Sequence, residues 1–124
     1  VQIGSRFVAS NEASAHAHFK NRIIISAEGD TQLMMKKLTP VRLLKNQFYD
    51  LIKNAEDKNA STEELAAILG KGRAKKGMFE GNMEEGELEI GQIAALVREI
   101  KPAGEIVAEI INEYNIAKQE LYTL

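Results

Sequence analysis

The chain has 124 residues, 44% of them hydrophobic and 27% charged, with a formal net charge of −2. These values fit one soluble domain with a modest core and give no overall basic footprint for nucleic acid or an anionic membrane. There is no cysteine, which excludes disulfides, thiolate metal sites and a cysteine nucleophile.

The absence of cysteine makes the cytoplasm the expected location; no apolar run approaches the ~20 residues of a membrane-spanning helix, and no signal peptide is legible in these residues. In chain order, Val1-Gln2-Ile3 reads as the end of a buried strand, after which Gly4 and Ser5 turn the chain. Ser10 and Asn11 are both good N-cap residues and predict a helix over residues 12–22. Gly29-Asp30 marks a turn, and residues 31–37 read as a short extended segment with poor alternation. Pro40 suits a first helical position, where its missing N–H costs nothing. It predicts a helix to about residue 58, because Val41, Leu44, Phe48, Leu51, Ile52 and Ala55 recur at helical spacing.

Asn59-Ala60 breaks that pattern. Ser61-Thr62-Glu63-Glu64 is a capping box opening a short helix that carries Leu65, Ile68 and Leu69, and Gly70 stops it. Residues 70–92 are punctuated by glycine, with basic residues first and acids after, and predict a short helix near 73–79 followed by a loop. Gly91-Gln92 opens another helix with Ile93, Leu96, Val97 and Ile100 on one face. Pro102 resets the chain, and a long final helix is predicted from Ala103 to Tyr122, striped by Val107, Ile110, Ile111, Tyr114, Ala117 and Leu121. The chain taken alone is therefore expected to be mostly α, with one strand lacking a neighbour. Buried unpaired backbone is costly, so Val1–Ile3 must pair with another chain or with a sheet lying upstream.

His16 and His18 are the only histidines. At spacing i, i+2 they point to different helix faces, which favours surface or packing roles over a shared metal, and no serine–histidine–acid signature surrounds them. Gly72 to Gly77 has the glycine spacing of a P-loop, but Met78 stands where the lysine must be. Lys71, Arg73, Lys75 and Lys76 could touch a phosphate or an RNA backbone; in a chain of net charge −2 the favoured reading is a solvated helix facing the acids that follow. Those acids, Glu80 to Glu89, lack the spacing of a calcium-binding EF-hand loop. The opening turn has more chemistry. A glycine directly after a strand lets phosphate approach the backbone, the N–H groups of Gly4 and Ser5 can donate to it, and the Ser5 hydroxyl can add a third bond. Gln2 has a side-chain amide able to read a heterocycle edge. A plain strand-to-loop turn is the competing reading.

VQIGSRFVASNEASAHAHFK (residues 1–20) resembles the last-strand segment of the FMN-dependent nitronate monooxygenases, formerly the 2-nitropropane dioxygenases, a family that includes the flavin enoyl-acyl-carrier-protein reductases of the second type. The pattern is V-Q-x-G-T-R-F, then an acid, then A-H and an aromatic–lysine pair. Val1, Gln2, Gly4, Arg6, Phe7, Glu12, Ala15, His16, Phe19 and Lys20 fit it. Ser5 replaces threonine and keeps the hydroxyl, whereas Ala13 replaces serine and loses one. PVRLLKNQF (40–48) and EIGQIAALVREIKPAGEIVAEI (89–110) are similar to later family segments; residues 54–86 are the least specific.

The resemblance implies a (β/α)8 TIM barrel with an inserted helical region, a fold of about 250 residues. Residues 1–124 would then be its C-terminal portion, with the last barrel strand at 1–5 and a helical region behind it. It implies FMN contacts from Gln2, Ile3, Gly4 and Ser5, the backbone of Gly4 and Ser5 lying at the phosphate. It places the catalytic histidine in an earlier segment, so no catalytic residue is expected here, and neither His16 nor His18 inherits that role. The implied reaction is oxidation of an alkyl nitronate with O₂, or alternatively reduction of an enoyl thioester with NAD(P)H. A cofactor-free helical binding module and an inactive fragment are the readings from other classes. The expected partners are a small-molecule substrate and a second copy through self-association, with no nucleic acid, membrane or metal.

Overall fold

The computed structural model describes residues 1–123. About half of them are helical, and there is a two-stranded sheet whose first strand lies in the 31–37 segment read as extended and whose second lies where a helix was expected. In chain order the elements are α1 (Ser5–Val8), α2 (Ala17–Ile24), β1 (Thr31–Met34), β2 (Val41–Leu44), α3 (Gln47–Asp57), α4 (Thr62–Leu69), a π-helical turn (Lys75–Phe79), a 3₁₀ turn (Gln92–Leu96) and α5 (Ala103–Tyr122).

β1 and β2 are antiparallel, Thr31 facing Leu44 and Met34 facing Val41. Residues 88–90 lie along the other edge of β2: Leu44 donates its N–H to the Leu88 carbonyl (3.0 Å), and Ile90 donates to that of Arg42 (3.2 Å). Successive side chains of a strand point to opposite faces, and β2 uses this to separate two cores. Leu43 packs with Met34, Met35, Phe48, Ile52 and Leu65 beneath α3 and α4. Its neighbour Leu44 packs with Phe19, Ile23, Leu88, Ala94 and Val97 against α2 and the 3₁₀ turn.

Several expectations are corrected. Val1–Ile3 is exposed and has no neighbouring strand among the described residues, as expected of a strand whose sheet lies elsewhere, but helical geometry begins at Ser5, inside the 1–5 span given to that strand. The helix placed at 12–22 begins at Ala17 instead, capped by His16, whose Nδ1 accepts from the His18 N–H (3.1 Å). Ser10 does make a cap-type bond, its Oγ accepting the Ala13 N–H (3.2 Å), but no helix follows, and the backbone of Ser10 and Asn11 enters tertiary pairing. Asn11 donates to the Lys101 carbonyl (3.0 Å), and the buried Lys20 ammonium donates to the Ser10 carbonyl (2.6 Å). The helix placed at 40–58 divides, since Val41–Leu44 pairs with β1 and helix α3 starts at Gln47 behind an Asn46 cap that accepts from the Tyr49 N–H (2.9 Å). The helix placed after Gly91 is only a 3₁₀ turn ending at Leu96, with Val97 already extended.

Other expectations hold. The Ser61/Glu64 capping box is formed in both directions, at 3.2 and 2.7 Å. Gly70 ends α4 at φ +63°, a conformation that favours glycine. Helix α5 spans Ala103–Tyr122. Its first turn is held by Glu12, whose Oε2 accepts the Ala103 N–H (2.8 Å). The stripe of α5 is not packed, however: Ile106 is its only buried residue among those described, while Val107, Ile111, Tyr114 and Leu121 are 49 to 70% exposed.

Candidate functional site

The Gly4–Ser5 turn is the start of α1. Gly4 adopts φ −86°, ψ −61°, and its carbonyl accepts the N–H groups of Phe7 (3.0 Å) and Val8 (3.3 Å). The N–H groups at the head of a helical turn have no partner within it, and those of Gly4, Ser5 and Arg6 find none elsewhere among the described residues. A Cβ built on Gly4 would meet no heavy atom within 4 Å, so the backbone is open to close approach. The Ser5 Oγ accepts the Gly91 N–H at 2.9 Å, which fixes its position and leaves the hydroxyl proton to donate elsewhere. Arg6 anchors the turn by donating Nη1 to the Ala9 (3.4 Å) and Glu99 (3.3 Å) carbonyls. Gln2 and Ile3 are exposed and lie ahead of the turn.

Two hollows flank the turn. One, of about 330 Å³, is apolar and includes Gly4, Phe7, Phe19, Met78 and Phe79. The other, of about 400 Å³, includes Ser5, Pro40, Arg42, Glu89 and Gly91. Gly4 thus borders the first hollow and Ser5 the second. The neighbours Gly91, Arg42 and Glu89 were not legible as such. They reach Ser5 through the hairpin and the 88–91 segment, and no local spacing signals a contact between residues 5 and 91.

The other sequence candidates take structural places. His16 and His18 sit edge to face with ring centroids 4.6 Å apart, and the His18 ring lies 3.2 Å from the Gly81 carbonyl. Among the described residues no cluster of histidine and carboxylate side chains could hold a metal ion. Lys75 and Lys76 pair with Glu80 and Glu85, so the basic stretch does face the acids behind it. The Arg73 guanidinium lies 4.7 Å over the Phe48 ring, and its Nε donates to the last carbonyls of α4, at Ile68 (3.1 Å) and Leu69 (3.0 Å). Gly77 gives its surface to Leu88 and the Glu87 carbonyl rather than to a phosphate. Glu87 is a carboxyl shifted upward: burial and then the neighbouring Glu89 push it up to about 7, against the pull of Arg73.

The sequence model of the nitronate monooxygenases matches residues 1–113. Among solved structures, the chain is similar to FabK from Thermotoga maritima, with 33% identity and a TM-score of 0.88 over 98% of this chain and 39% of that one. An M276A mutant of FabK from the same organism gives 31% identity and a TM-score of 0.80, covering 98% of this chain and 36% of that one. Nitroalkane oxidase from Streptomyces ansochromogenes gives 25% identity and a TM-score of 0.67, covering 97% and 34% respectively. No curated protein matches the chain. The chain thus spans well under half of the solved relatives it resembles. Matched over nearly its whole length, it belongs to the nitronate monooxygenase family.

Proposed function

We propose that this chain is the C-terminal portion of an FMN-dependent oxidoreductase built on a (β/α)8 barrel. The observation that carries the reading is the family match over residues 1–113, which includes an open glycine–serine turn with unspent N–H groups. The residues present fit the phosphate end of FMN. Gly4 admits close approach, the Gly4 and Ser5 N–H groups donate, and the Ser5 hydroxyl supplies a further donor while Gly91 holds it in place. Gln2 and Ile3, just ahead of the turn, would border the flavin ring. When bound, FMN supplies the redox chemistry, and the residues of this chain bind and orient it.

Two reactions compete. The family's name favours oxidation of an alkyl nitronate by O₂. The likeness to FabK, an enoyl-acyl-carrier-protein reductase, favours reduction of an enoyl thioester by NAD(P)H, and that likeness is the stronger in both identity and TM-score. The exposed stripe of α5 supports the portion reading, because a 20-residue helix with a single buried side chain has an apolar face left for further structure to cover. The test is turnover by the full-length protein. NAD(P)H consumption driven by an enoyl thioester supports the reductase, and O₂ uptake driven by an alkyl nitronate supports the monooxygenase. Neither activity in a flavin-loaded protein would sink both.

A further inference from the structure

A further pocket, of about 610 Å³, lies between the loop that leaves α2, the start of β1 and the 3₁₀ turn. Arg42 and Arg98 line it, with Ala95 and Leu96 as its apolar side. Each arginine is held by one nitrogen. Arg42 donates Nη1 to the Thr31 carbonyl (3.3 Å) and hydroxyl (3.2 Å). Arg98 donates Nη1 to the Ser26 (3.1 Å) and Val97 (3.3 Å) carbonyls. These bonds fix the guanidinium groups through neutral acceptors and leave Nε and Nη2 of each without a hydrogen-bond partner among the described residues. Neither arginine takes part in an ion pair there, although Glu28 also borders the pocket. Two positioned guanidinium groups, neither in direct contact with a carboxylate, present planar forks matched to phosphate oxygens.

The pocket adjoins the Ser5 turn. Arg42 borders both this pocket and the hollow beside Ser5, and Gln92, on the pocket wall, directly follows the Gly91 that donates to the Ser5 hydroxyl. We propose that Arg42 and Arg98 form the subsite for a phosphate group of an extended substrate whose other end reaches the flavin. That phosphate belongs to a nicotinamide dinucleotide or to a phosphopantetheine thioester. The proposal rests on the FMN reading for its reacting end, and it selects against a small nitronate as the only substrate.

Binding calorimetry on the full-length protein tests it, with NADP⁺, coenzyme A and phosphate-free pantetheine as probes. Arg98→Gln keeps a donor for the Ser26 carbonyl and removes the charge. It should weaken at least one phosphate-bearing probe about 10- to 100-fold, Arg98→Lys should restore part of the loss, and pantetheine should not respond. Loss confined to NADP⁺ identifies the dinucleotide, and loss confined to coenzyme A identifies the thioester carrier. The wild-type protein supplies a readout that needs no variant, since its affinity for the phosphate probe must fall as ionic strength rises. Unchanged affinity in Arg98→Gln, no binding of either phosphate probe, or salt-independent binding would overturn the proposal. Calorimetry requires no bound flavin, so the two readings fail separately. A flavin-free protein with Arg98-dependent binding removes only the FMN reading, and a flavoprotein with Arg98-independent binding removes only this one.

Discussion

The Ser5 hydroxyl accepts the Gly91 N–H at 2.9 Å, a bond between residues 86 positions apart. It joins the opening turn to the segment that runs along β2, and it holds in place the one side chain of the turn able to donate to a phosphate.

Ser5→Ala therefore acts twice. It leaves the partly buried Gly91 N–H without its partner, at about 1–3 kcal/mol of stability, readable as a lower urea midpoint. In the full-length protein it also removes one donor to FMN, at roughly 0.5–1.5 kcal/mol of affinity. A variant with unchanged midpoint and unchanged FMN affinity would show that this bond organises nothing.

The glycine contacts give a contrasting pair. A Cβ at Gly86 would land on the Gly77 Cα and the Asn82 carbonyl, both backbone, so Gly86→Ala forces the 77–86 contact apart. It should cost about 1–3 kcal/mol or more, as overpacking does. Gly104 lies in α5 with open space around it, so Gly104→Ala should stabilise by about 0.4–1 kcal/mol. Thermal unfolding of the two variants beside the wild type reads both signs.

Glu87 makes stability depend on pH. Burial raises its pKa from the ordinary 4.5 to about 7, with Glu89 adding to the shift and Arg73 opposing it. The folded chain then binds more protons than the unfolded chain between those values. The favourable contribution is full below the lower value and is lost as pH rises through about 7. Glu87→Gln should raise the melting temperature at pH 8 and change it little at pH 4. An equal gain at both would assign the effect to packing rather than to ionisation.

Local signals in the sequence were reliable where the chain satisfies itself locally. Ser61 and Glu64 close their capping box within four residues, and Pro102 opens α5 where expected. The failures occur where distant pairing takes over a residue. The Ser10 hydroxyl accepts the Ala13 N–H as a cap would, but the backbone of Ser10 and Asn11 is committed to Lys20 and Lys101, and the helix opens later, behind His16. Val41 and Leu44 lie in helical register with Phe48, yet β1 offers Val41–Leu44 a ladder and Asn46 starts the helix later. At the site, Gly4 and Ser5 were readable from a short motif. Gly91, Arg42 and Arg98 were not, because only the tertiary fold places them around the turn and its adjoining pocket.

Residues 1–124 alone should neither retain FMN nor turn over substrate. The single turn offers two or three hydrogen bonds worth about 1 kcal/mol each, whereas association costs at least several kcal/mol in lost freedom. The exposed α5 stripe should drive self-association that Ile111→Glu reduces. Light scattering and flavin fluorescence check both; micromolar FMN binding by the isolated segment would contradict the account.

The central claim is that the Gly4–Ser5 turn holds the phosphate of FMN. It is tested most directly by flavin content in the full-length protein and its Gly4→Val variant. The valine meets no protein atom at its Cβ, and Gly4 has an ordinary negative φ, so the fold should tolerate the change. The account predicts a wild-type protein purified with one FMN per chain and a folded variant that has lost most of it. A variant that retains FMN as the wild type does, or a wild type that binds none, would contradict it.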